Sequence, residues 1–197
     1  MSDTRLTRLQ LAHHEAGHVV VALMLGYEVN SVTIVTDEDA EGRVVYETPL
    51  VELEKMLGGL DPSYINPDDA DGARMMQLVG HAIIVNLAGP LAQKRYDPES
   101  DWQEGATGAG DGELMHRGAD MRLVLHLIED VYGSGKLADT YFAYLEARAE
   151  TLVERHWPSV ERLAHTLLQC ETLTGYDEIR AAAADPAVLA AINLGGG

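Results

Sequence analysis

The residue types best suited to chemistry lie together near the amino terminus, in His13-His14-Glu15-Ala16-Gly17-His18. His14 and His18 are four residues apart. On a helix that is little more than one turn, so the two imidazoles stack on one face. Rings so placed chelate one divalent metal, with Zn2+ the expected ion, and Glu15 stands within reach of a water beside it. The expected chemistry is metal-assisted hydrolysis, with Glu15 as the general base. Eight histidines let this spacing arise by accident in roughly a few of every hundred such sequences. The plainer reading is a buried helix whose histidines bond to carbonyls.

Such a site needs rigid elements around it. From Thr7 to Leu25, Leu9, Ala12, Ala16, Val19, Val20 and Leu23 recur at helical spacing, and Gly26 supplies a stop. Residues 28–36 and 43–48 switch to β-branched alternation and predict a β-hairpin, whose free edge suits an added peptide strand. A short helix is expected around Glu52–Leu57. A long one follows from about Ala73 to Tyr96, with Met76, Val79, Ile83, Val85 and Leu87 inward and a kink at Gly89-Pro90. Residues 97–119 form a Gly-rich loop, expected to be mobile. Helices are then expected at about Asp120–Tyr132, Leu137–His156, Ser159–Cys170, Asp177–Ala184 and Pro186–Asn193, before a frayed tail at 195–197.

With 197 residues and 46% apolar content, the chain predicts a single domain, 1–197. A formal charge of -18 opposes binding to nucleic acid or to an anionic membrane surface. The apolar runs Val19–Leu25 and Ala82–Val85 are too short to cross a bilayer, and residues 1–10 do not resemble a secretion signal. Cys170, the one cysteine, reads as a small buried hydrophobe in a reducing compartment. A cytoplasmic protein is expected.

His14-Glu15-Ala16-Gly17-His18, the apolar run after it and the strand Val32-Thr33-Ile34-Val35 resemble the peptidase domain of FtsH-type zinc metalloproteases. Leu87-Ala88-Gly89-Pro90-Leu91-Ala92-Gln93 is similar to that family's second motif, usually Gly-Arg-x-Ala-Glu, with Pro90 and Gln93 as departures. The likeness runs to about Gly133. It implies a mainly α, helical zincin-like metallopeptidase domain with a small β-hairpin or sheet, and an aspartate on a later helix as third metal ligand. The family places that aspartate after Thr-Gly-Ala-x-x. Thr107-Gly108-Ala109-Gly110-Asp111 is one residue short of this, whereas Gly118-Ala119-Asp120 opens a helix and shares a stripe with Leu123, Val124 and Leu127. A ligand needs a rigid, inward-facing element, which favours Asp120 over Asp111. His13, His81, His116, His126, His156 and His165 fit no pattern and are expected at the surface or bonded to carbonyls.

The resemblance also implies a peptide or unfolded-protein substrate. Tyr132-Gly133-Ser134-Gly135-Lys136-Leu137 is a poor phosphate loop, with Leu137 where Ser or Thr is needed, so hydrolysis here is expected to be ATP-independent. Either a separate ATPase or delivery partner feeds the site or flexible segments are cut unaided, and homo-oligomerisation stays an open expectation. The alternative from another class is a non-catalytic, metal-stabilised binding or adaptor module.

Overall fold

The structure, a computed structural model, describes residues 6–36, 42–66, 68–99 and 119–184. Helix α1 spans Arg8–Met24 and begins at a reciprocal cap: Thr7 Oγ1 accepts from the Gln10 amide at 3.2 Å, and Gln10 Oε1 accepts from the Thr7 amide at 2.8 Å. From Leu11 to Ala22 nearly every side chain is buried, so α1 is surrounded on all sides. Leu9 is the exception to the expected inward set and is exposed.

Strands β1 (Val29–Thr33) and β2 (Arg43–Tyr46) pair antiparallel, as their alternation predicts. A third strand, β3 (Thr172–Thr174), was not expected. It pairs antiparallel with β1 and gives the order β2-β1-β3, so β1 is central and β2 lies at an edge. Three residues of Thr-Leu-Thr after a helix are too short to show a period of two, which is why the sequence hid it.

Helix α2 (Pro49–Leu57) leads to a short 3-10 turn at Pro62–Tyr64 and then to α3 (Ala70–Tyr96), which Asp69 caps through the Gly72 amide at 2.7 Å. As expected, one helix runs past Gly89-Pro90 to Tyr96. The helix continues through Pro90, and residues on both sides are buried, so packing outweighs one missing amide bond. By length and composition α3 is apolar enough to span a bilayer, contrary to the reading from shorter runs, and it serves here as the central core helix.

Helices α4 (Ala119–Tyr132), α5 (Lys136–Arg155), α6 (Trp157–Cys170) and α7 (Tyr176–Ala183) complete the mainly helical fold. α6 packs on α1, while α4 and α5 pack on α3. Cys170 is exposed in the last turn of α6 rather than buried. The expected helix Pro186–Asn193, the tail and most of the Gly-rich loop, Asp111 and His116 included, lie outside the described residues.

The pair α1 and α3 forms the centre, and its closeness depends on Gly17. A Cβ there would lie 2.5 Å from the Ala88 carbonyl oxygen and 2.6 Å from Ala92 Cβ. Gly17→Ala must therefore push the two helices apart. It should cost about 1–3 kcal/mol in urea denaturation; an unchanged midpoint would refute the contact.

Candidate metal centre

The α1–α3 contact places the site. His14 and His18 share one face of α1, and Val85, Gly89 and Gln93 form the facing stripe of α3, each four residues from the next. His18 Nδ1 donates to the Val85 carbonyl at 2.7 Å, and His14 Nδ1 donates to Gln93 Oε1 at 3.1 Å. Between them Gly89 leaves room for the His18 ring, since a Cβ there would stand 2.3 Å from His18 Nε2.

With both Nδ1 atoms committed as donors, both Nε2 atoms turn toward Asp120 in the first turn of α4. The three donor atoms converge. His14 Nε2 lies 3.1 Å from His18 Nε2 and 3.1 Å from Asp120 Oδ2, and His18 Nε2 lies 3.3 Å from the same oxygen. Three ligands bound tetrahedrally at zinc distances stand about 3.3 Å apart. The donor set, two imidazole nitrogens and one carboxylate oxygen, thus fits a divalent ion in chemistry and spacing.

Val124 and Leu127, on the Asp120 stripe of α4, are buried. Their packing holds the helix start against the site, as the sequence pattern predicts. Asp120 keeps about a quarter of its side chain exposed and His14 about a seventh, so solvent reaches the donors from the Asp120 side.

Glu15 points elsewhere. Its carboxylate is buried against the strand that leads into β2, where a Cβ on Gly42 would lie 2.4 Å from Glu15 Oε1. Burial raises the Glu15 pKa, opposed by positive charge on His14 and His18 and assisted by Asp120. A base in this setting holds a proton far better than a surface glutamate.

Three converging lone pairs repel one another unless something positive sits between them. In the metal-free protein that is a proton. Burial opposes charge on His18, but the Asp120 carboxylate overrides it and pushes His18 up to about 9. Burial likewise works against charge on Asp120 and is outweighed by His18 and His14, which hold its carboxyl well below the usual range. One proton serves one contact well; a metal ion serves all three.

Among the described residues, the other histidines stand apart from this centre. His13 stacks on Tyr96 with ring centroids 3.9 Å apart and bonds the Leu9 carbonyl, His81 meets the Tyr27 hydroxyl at 2.8 Å, and His126 faces Asp130 on an exposed turn of α4. Sequence reasoning missed the second partners, Val85 and Gln93, and the cover of Gly42 over Glu15. Gln93 stood out only as a departure from a motif, and a backbone carbonyl leaves no trace in residue type.

Two outcomes test the centre. Asp120→Ala should weaken zinc binding by about 100-fold or more in a competition titration, while Asp111→Ala leaves it unchanged; the opposite ranking would transfer the ligand role. The second concerns pH. The folded-state pKa of His18 lies above the unfolded value, about 6.5. Stability from the His18–Asp120 pair is therefore complete below that value and lost as pH rises through about 9. Chelator-treated protein should lose stability to urea across this window, and Asp120→Asn should flatten the loss; identical profiles would contradict the pairing.

Among known proteins, no family model and no curated protein matches the chain.

Proposed function

We propose that the chain is a zinc-dependent endopeptidase of zincin-like, FtsH-related type, with His14, His18 and Asp120 as metal ligands and Glu15 as general base. The observation that carries this reading is the convergence of three donor atoms at 3.1–3.3 Å with a buried carboxylate next in sequence to one of them. Among the described residues three donors converge rather than four, which favours catalysis over a purely structural metal, because a fourth position remains for water.

Zinc held there supplies Lewis acidity, making a water acidic near neutral pH and polarising a peptide carbonyl. The chain's own residues do the rest. Glu15, made more basic by burial, takes a proton from the attacking water and returns it to the departing amine. Val85 and Gln93 hold the imidazoles in the ligating tautomer, so no reorganisation is needed at the moment of reaction.

The sheet supports a place for the substrate. Among the described residues β2 pairs with β1 on one side only, and the residue before it, Gly42, lies against Glu15. An extended peptide added along the free side of β2 would carry a carbonyl past the base. Flexible or unfolded segments, delivered by a separate partner or encountered directly in the cytoplasm, are the substrates this geometry accepts.

Zinc-loaded protein should fragment an unfolded polypeptide, and Glu15→Gln should bind zinc as tightly while losing about 100- to 10,000-fold in rate. Equal cleavage by both proteins would remove Glu15 from the role of base. Zinc binding without cleavage by either would identify a metal-stabilised binding module instead.

A further inference from the structure

Gln93 is one of only four buried polar or charged side chains named among the described residues, with His13, Glu15 and His18. It is 5% exposed, carries no charge, and its oxygen lies 3.1 Å from His14 Nδ1. Helix α3 presents it two turns beyond Val85, so Gln93 does for His14 what the Val85 carbonyl does for His18. An apolar residue would fill this buried place at less desolvation cost, so the amide is there for its contact.

From this geometry we infer that Gln93 is a positioning residue that fixes the tautomer of His14 and, through its neutral amide, sets how tightly and with what net charge the centre holds a divalent ion. The inference rests on the metal-centre reading above and deepens it.

The physical steps are short. An amide oxygen only accepts, so it keeps the hydrogen on Nδ1 and the lone pair on Nε2, aimed at His18 and Asp120. A carboxylate in the same place would accept the same hydrogen and also draw it toward itself, making the ring a stronger ligand. With the amide, two neutral imidazoles and one carboxylate face a divalent ion, and the sum is one positive charge. With a carboxylate partner it would be zero. The amide thus gives up some affinity and leaves the centre more electron-withdrawing. It favours an ion that polarises strongly and exchanges more readily.

The test uses the full chain in three forms: native, Gln93→Glu and Gln93→Met, the last matching the glutamine in length without an acceptor. Two readouts are needed. Imidazole nitrogen chemical shifts report the His14 tautomer without metal and with zinc, and competition against a chelator reports zinc affinity.

The native protein should show His14 with hydrogen on Nδ1 in both states. Gln93→Met should lose that preference in the metal-free state and bind zinc about 10- to 100-fold more weakly. Gln93→Glu should keep the tautomer and bind about 10-fold more tightly. If both variants bind zinc within twofold of native, or if His14 keeps its tautomer in Gln93→Met, the inference is overturned while the metal centre stands. If the native protein binds no zinc, the metal-centre reading falls and this one with it. If Gln93→Met fails to fold, Gln93→Glu decides through the same two readouts.

Discussion

The structure depends on two helices touching almost backbone to backbone. Gly17 of α1 rests on the carbonyl of Ala88, and Gly89 of α3 lies under the ring of His18. A side chain at either place would separate the helices, and His18 would then lose its bond to the Val85 carbonyl. Ridge-to-groove packing with ordinary side chains holds helix axes about 8–10 Å apart. Small residues at the contact allow a nearer approach, and the imidazoles occupy the space gained. The packing that stabilises the core is also what orients the ligands.

That arrangement explains an otherwise unfavourable cluster. Bringing a carboxylate oxygen and two imidazole lone pairs within 3.1–3.3 Å of each other, partly out of water, costs energy that only a positive charge offsets. Elsewhere the chain avoids such costs. No buried side-chain nitrogen or oxygen among the described residues lacks a partner. Every other buried polar side chain near the centre serves it or is satisfied locally: Gln93 holds His14, and His13 bonds back to Leu9 in its own helix. Among the described residues, His14, His18 and Asp120 are the group of donors close enough to share an ion.

Much of this was legible in residue type and spacing. His14 and His18 on one face of a buried helix follow from a four-residue interval and the apolar run around it. The resemblance implied an aspartate, and the choice of Asp120 over Asp111 followed from its stripe with Val124 and Leu127, both buried as that stripe requires. Strands β1 and β2 followed from β-branched alternation. What stayed hidden depends on contacts across the chain rather than along it. Strand β3 exists because β1 needs a second partner, and its three residues carry no period of their own. Cys170 lies at the end of an apolar helix, yet its position around the axis faces solvent.

Glu15 shows how far the arrangement separates duties between neighbours in sequence. One residue from His14, it leaves the ligand face by about 100° and turns to Gly42. A glutamate on the ligand face would bring a second carboxylate among the three donors. A glutamate on the outer face of α1 would sit in water with an ordinary pKa. The position between them is the one where burial raises basicity while the two histidines keep the carboxylate within the influence of the centre. β2 begins just after that contact, so the small sheet does more than cover the helices: its start also encloses the buried carboxylate. Beyond Tyr46 the chain turns at once into the Thr48-capped helix α2.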